Sequence, residues 1–156
     1  MINIERTLTI DRPVAEVFAY LREVEHGPSY IASQQEAHQT SSGPVNVGST
    51  FVTTSSKFPH RGTRFEIIEY DPERRLAWKT LSGARTTTGW GFQPSGNSTR
   101  ITFTRMIEAS RGVLRLPESL VQELANERVS RELSALSKLL DVPKLARRTS
   151  YLGKQQ

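Results

Sequence analysis

The chain has 156 residues, 36 % hydrophobic and 24 % charged, with no cysteine. That length fits one domain with its own core, and the missing thiols exclude disulfides, thiolate zinc sites, iron–sulfur clusters and cysteine nucleophiles. The formal charge is +5, but Lys144, Arg147, Arg148 and Lys154 follow Asp141 with no acid among them, so the pI of about 9.9 reflects a basic tail and gives no ground for expecting nucleic-acid binding.

Residues 2–10 alternate, with Ile2, Ile4, Leu8 and Ile10 on one parity and Asn3, Glu5, Thr7 and Thr9 on the other. This is a strand with one buried face. Asp11-Arg12-Pro13 starts a helix, with Asp11 or Arg12 at the cap position and Pro13 in the first turn. Val14, Val17, Phe18 and Leu21 form its inner stripe, and His26-Gly27-Pro28 ends it. Residues 29–47 admit a short second helix from Tyr30-Ile31 and an edge strand over Glu36–Ser41. Gly43-Pro44 and Gly48 then punctuate as turns.

From Gly48 the chain reads as successive strands: Thr50–Ser55, Thr63–Tyr70, Arg75–Leu81, Thr86–Gln93 and Thr99–Glu108. A loop over Lys57–Gly62 and turns at Asp71-Pro72-Glu73, Ser82-Gly83 and Pro94-Ser95-Gly96-Asn97 separate them. Strands joined by turns, without intervening helices, form an antiparallel meander. After that the period changes. Leu114, Val121, Leu124, Ala125, Val129, Ala135, Leu136, Leu139 and Leu140 fall on one broad face of a helix over about 117–140, which Pro143 ends. There is no internal repeat. No apolar run approaches the ~20 residues of a membrane span, and Met1–Arg6 lacks the basic start and apolar stretch of a secretory signal. A cytoplasmic protein without stable membrane insertion is expected. A curved sheet of this size has an apolar concave face, and only the last helix is long enough to cover it.

This order of elements resembles the START/SRPBCC helix-grip superfamily, which includes polyketide cyclase/dehydratase-like members. The matching pieces are Ile10-Asp11-Arg12-Pro13-Val14-Ala15-Glu16-Val17-Phe18, Val47-Gly48-Ser49-Thr50-Phe51, and Glu69-Tyr70-Asp71-Pro72-Glu73-Arg74-Arg75-Leu76-Ala77-Trp78, together with the closing helix. The resemblance covers about residues 2–141. It implies an α+β fold of about seven antiparallel strands wrapped around a long C-terminal helix, as one domain over 1–142 with a basic tail over 143–156. It also implies a mostly apolar cavity between sheet and helix. Members of the superfamily bind lipids, polyketides or other hydrophobic molecules there; some catalyse cyclisation or dehydration. A family tryptophan often follows the first helices, and Tyr30 stands near that place here. These motifs are turn and core signatures, so they specify a fold more sharply than a function.

Several residues interrupt the apolar pattern. Arg6 shares the face of Ile4 and Leu8, and Arg105 shares the face of Ile101, Phe103 and Ile107. In the resembled topology the first and last strands are neighbours, which would bring the two arginines close. Arg128 and Glu132 lie inside the helix's apolar arc at i, i+4 spacing. A buried charge is costly unless paired. Either Glu132 pairs with Arg128, Arg6 or Arg105, or the arginines reach solvent at strand ends, or the group forms a polar patch for a ligand carbonyl, phenolate or carboxylate. Trp90 and Phe92 share a parity with Thr88, opposite Gly89 and Gly91, which suggests a bend. Trp78 stands opposite Lys79 and should face inward. These rings, with Phe103, would line a cavity or fill a core.

His26, His38 and His60 are isolated, so no metal site is expected. His60, beside Lys57 and Arg61, is the best-placed acid/base candidate, and otherwise an exposed loop histidine. No nucleotide, phosphate or hydrolase motif is present, and no cofactor is expected. The expected function is binding of a hydrophobic small molecule, lipid or polyketide-like, by Arg6, Tyr30, His60, Trp78, Trp90, Phe92, Phe103, Arg105, Arg128 and Glu132. The alternatives are a polyketide cyclase/dehydratase-type enzyme and a partner-binding module whose cavity is closed.

Overall fold

A computed structural model describes residues 1–55, 62–108 and 117–141. The strands are β1 (Ile2–Ile10), β2 (Gln34–Gln39), β3 (Thr50–Ser55), β4 (Gly62–Asp71), β5 (Arg75–Thr80), β6 (Thr86–Ser95) and β7 (Ser98–Ile107). They form one antiparallel sheet in the order β1-β7-β6-β5-β4-β3-β2. Three helices accompany it: α1 (Val14–Arg22), α2 (Gly27–Tyr30) and α3 (Glu118–Asp141). The curved sheet wraps around the long closing helix, which is the expected α+β helix-grip arrangement. The meander makes nearly every pairing a local hairpin. The exception is β1, which crosses to the far edge and pairs β7 over its whole length, from Ile2↔Ile107 to Ile10↔Thr99.

The inner face follows from the period of two. Register places Arg6, Phe103, Trp90 and Leu76 in one row across β1, β7, β6 and β5. The adjacent row runs Ile4, Arg105, Thr88, Trp78 and Ile67. Val17, Phe18 and Leu21 of α1 and Val129, Leu133, Leu136 and Leu140 of α3 close over this face as one apolar cluster. Phe18 meets Phe92 edge-on at 5.4 Å and Tyr70 at 5.5 Å. Trp90 meets Phe103 edge-on at 4.8 Å, a favoured geometry for aromatic pairs.

Some local expectations are corrected. Neither Asp11 nor Arg12 caps α1. Pro13 holds the cap position, without a side-chain cap bond. The two residues before it bind the other end of the molecule. The Asp11 backbone N–H donates to Asp141 Oδ1 at 2.7 Å, and Arg12 Nε donates to the Leu140 carbonyl at 2.7 Å. A guanidinium on a last-turn carbonyl suits the negative end of a helix. His26-Gly27-Pro28 does not end the first helix. That helix stops at Arg22, a single 3-10 turn spans Val24–His26, and Pro28 opens α2, because proline is favourable in a first turn. Tyr30 therefore ends the short helix instead of beginning it. Strand β2 starts at Gln34, ahead of the expected Glu36, through a bulge between these two residues. On α3, Leu124 is 51 % and Leu139 36 % exposed. The sheet touches a narrower stripe than the arc drawn from sequence, and no residue before Val129 on α3 is buried. Of the glycines opposite Trp90, Gly89 makes room for neighbouring side chains: a Cβ there would lie 2.7 Å from Arg75 Nη2 and from Thr104 Oγ1. Leu114 and the tail lie outside the described residues.

Candidate ligand cavity

A cavity of about 550 Å³ opens between the inner face and the first half of α3. This falls within the usual size range of small-molecule sites. Three regions supply its walls. Leu21, Tyr30 and Ile31 come from the α1–α2 segment, Phe51, Phe65 and Trp78 from β3, β4 and β5, and Val121, Leu124 and Ala125 from α3. Phe51 stacks on Phe65 at 5.1 Å and meets Trp78 edge-on at 5.9 Å. These rings make one side of the cavity aromatic.

The rest of the sheet wall is rich in hydroxyls. Thr53, Thr63, Thr80, Thr86 and Thr88 all line it. They occupy inward positions, since Thr53↔Thr63 and Trp78↔Thr88 are register partners. The Thr80 hydroxyl is already committed, donating to the Ala84 carbonyl at 2.8 Å and accepting from the Thr86 N–H at 3.0 Å.

Arg105 and Glu132 meet in this cavity. Arg105 Nη1 lies 3.0 Å from Glu132 Oε2, with the two side chains 13 % and 7 % exposed. Arg105 Nε donates to Thr88 Oγ1 at 3.3 Å, and the guanidinium carbon sits 5.1 Å over the Phe103 ring. Such support answers the cost of burying the pair. Arg128, one turn before Glu132, also lines the cavity and is exposed. The charged lining groups are therefore two arginines and one carboxylate, which favours an anionic or carbonyl end on a bound molecule. Tyr30 lies in the same space. Burial chiefly, and then the Glu132 charge, push its phenol well above the usual value of 10.0, against the opposing pull of Arg105. It stays a neutral donor across the physiological range.

The expected site residues divide. Tyr30, Trp78, Arg105, Arg128 and Glu132 line the cavity. Trp90, Phe92 and Phe103 share the inner face but pack beneath α1 and the second half of α3. Arg6 stands apart, donating through Nη2 to Asn126 Oδ1 at 3.1 Å. His60 lies outside the described residues. Of the other histidines, His26 stacks on Tyr20 at 4.1 Å and His38 is exposed. Among the described residues no group of three or more histidine, aspartate or glutamate side chains could hold a metal ion. No helix there is long and apolar enough to cross a membrane. The threonine wall was foreshadowed by Thr80 and Thr88 sharing parity with the tryptophans. Gln34, also on the wall, had no such signal.

The family model described as polyketide cyclase / dehydrase and lipid transport matches residues 1–141. The chain belongs to this family. The matched span takes in the whole frame described above, from β1 to the end of α3. Solved structures agree on the fold. TTHA0849 from Thermus thermophilus superposes with a TM-score of 0.70 at 21 % identity, covering 87 % of this chain and 94 % of that one. A START superfamily protein from Mycobacterium smegmatis gives 0.71 at 13 % identity, covering 89 % and 97 %. The di-domain ARO/CYC StfQ from the steffimycin biosynthetic pathway gives 0.71 at 14 % identity, covering 90 % of this chain and 50 % of that one. At these identities the likeness to the three structures is one of fold. No curated protein matches the chain.

Proposed function

We propose that this family member binds a hydrophobic small molecule, lipid or polyketide-like, whose oxygen-bearing end meets Arg105. The observation that carries this reading is a cavity of about 550 Å³ lined by aromatic rings and holding the Arg105–Glu132 pair. The paired Glu132 neutralises part of the arginine's charge and fixes its plane. Tyr30 adds a second donor, and Phe51, Phe65 and Trp78 bury the apolar body of the ligand. Thermal melting against fatty acids, aromatic carboxylic acids and their alcohol analogues tests the reading. A molecule that binds only the folded state raises Tm with concentration. The acids should raise it more than the alcohols. A flat response across the whole panel would overturn the proposal.

A second reading, a cyclase/dehydratase-type enzyme, is favoured by Tyr30 and Arg105 sharing one cavity. Arg105 would polarise a ketone oxygen and stabilise its developing charge. The neutral phenol would donate the proton that this oxygen gains. Incubation with a poly-β-ketone thioester distinguishes the two readings. Cyclised or dehydrated product that disappears in Tyr30→Phe while probe binding survives supports the enzyme. Binding without turnover in the parent protein supports the carrier.

A further inference from the structure

The helix side of the cavity carries a charge that the chain itself does not balance. Val121, Leu124, Ala125, Arg128 and Glu132 line the cavity from α3. Their spacing puts them on one helical stripe. Arg128 stands one turn, about 5.4 Å along the axis, before Glu132, on the stretch that arches over the open end. It is exposed, so a molecule entering from solvent can reach it. Glu132 is the only carboxylate at the i±3 and i±4 positions where helix neighbours meet, and it is turned to Arg105 at 3.0 Å. Adjacent Glu127 pairs with Arg131 at 3.6 Å. Among the described residues Arg128 has no ion pair or hydrogen-bond partner. No Asp or Glu occurs in 56–61, 109–116 or 142–156, so those segments hold no side-chain carboxylate for it either.

The two arginines of the cavity therefore differ. Arg105 is matched by Glu132 and held by Thr88, so the pair is close to neutral. It suits an uncharged oxygen, a ketone or a hydroxyl. A carboxylate brought to it would also lie near the Glu132 charge, and like charges oppose each other. Arg128 carries an unmatched charge at the mouth, where an anion meets no such opposition and keeps part of its hydration. A planar carboxylate also fits its fork of donors.

We propose that Arg128 is the anion site of this cavity, and that the ligand is an organic acid held with its carboxylate at the mouth. This rests on the cavity reading above and orients it. The apolar body runs inward along Phe51, Phe65 and Trp78, and an uncharged oxygen is the pole that reaches Arg105. The class narrows to keto or hydroxy acids with the charge at the outer end. Arg128 is then a specificity residue, separating acids from neutral molecules of the same shape.

The test is a fluorescence titration of the full chain with pyrenebutanoate and with pyrenebutanol, which differ at the polar end alone. Arg128→Gln should raise Kd for the acid about five- to tenfold and shift Kd for the alcohol by less than about twofold. Arg128→Lys keeps the charge and should hold the acid within about threefold of the parent. Raising salt from about 0.01 M to about 1 M shortens the Debye length from about 30 Å to about 3 Å. That should weaken acid binding relative to alcohol binding in the parent, and far less in Arg128→Gln. Without ligand, Arg128→Gln should melt like the parent, since it breaks no ion pair within the chain. If both probes bind and Arg128→Gln moves their Kd values equally, or leaves the acid unmoved, the Arg128 proposal falls and the cavity reading stands. The same holds if the alcohol binds and the acid does not. If neither probe binds the parent, the Arg128 proposal falls, and the cavity reading falls with it if fatty acids also leave Tm unmoved.

Discussion

Strand β6 passes through two regions of the same inner face, and they differ in kind. At one end Trp90 and Phe92 are buried under α1 and the anchored half of α3. At the other, Thr86 and Thr88 face the cavity. All four share one parity, so alternation alone treats them as equivalent. The difference comes from what covers them. The C-terminal end of α3 is tied to the β1–α1 corner by Arg12 on Leu140 and by Asp141, which accepts from the Asp11 N–H and from Ser137 Oγ. The stretch of α3 before Val129 has no buried residue and arches over the open end. A helix pinned at one end yields a packed half and a hollow half of one sheet.

Substitutions can break or sharpen this contrast. The largest effect is expected in the packed half. Trp90→Ala should destabilise by about 3–5 kcal/mol in a denaturant titration, since the ring is fully buried against Phe103 and Trp78. On the border, Arg105→Met should lose about 3 kcal/mol, because Glu132 is left buried without its partner. The double variant Arg105→Met/Glu132→Leu should recover most of that loss in the same titration. If the double variant is no better than the single one, the cost lies in packing and the pair is not its cause.

Arg12→Met should cost about 1–3 kcal/mol by removing a buried charged donor from a helix carbonyl. Hydrogen exchange should then rise first in the last turn of α3. Tyr30 predicts a pH signature. Its phenol ionises less readily in the folded state than in the unfolded chain, where the value is near 10.0. Its contribution is therefore complete below that value and lost as pH rises above it. Stability should fall above about pH 10 at no more than ~1.4 kcal/mol per pH unit from this group. Tyr30→Phe should flatten that fall. The smallest effect is expected in the hollow half: Thr86→Val should change stability by less than about 0.5 kcal/mol while altering Kd for an oxygen-rich probe.

Much of the fold was legible because its signals are local. The alternation of Ile2, Ile4, Leu8 and Ile10, the turn at Asp71-Pro72-Glu73 and the changed period after Pro117 each depend on a few neighbouring residues. The meander follows from them. The intrusion of Arg105 and Glu132 into apolar faces was equally visible, as was the choice of partners for Glu132. The choice itself was not. Arg6, Arg105 and Arg128 were all candidates, and β7 register together with helix rotation gave the pair to Arg105 and left Arg6 to Asn126. Asp11 and Arg12 misled for a related reason. They have the chemistry and place of helix caps, yet their partners are more than a hundred positions away.

By itself the sequence determined which residues face inward, since side-chain parity and helical period are properties of the chain and need no partner. It also determined that charge would accompany grease on that inner face. Only the tertiary structure decided which inward residues touch one another and which border open space. That outcome depends on where a distant helix is fastened, and no short stretch of sequence encodes it.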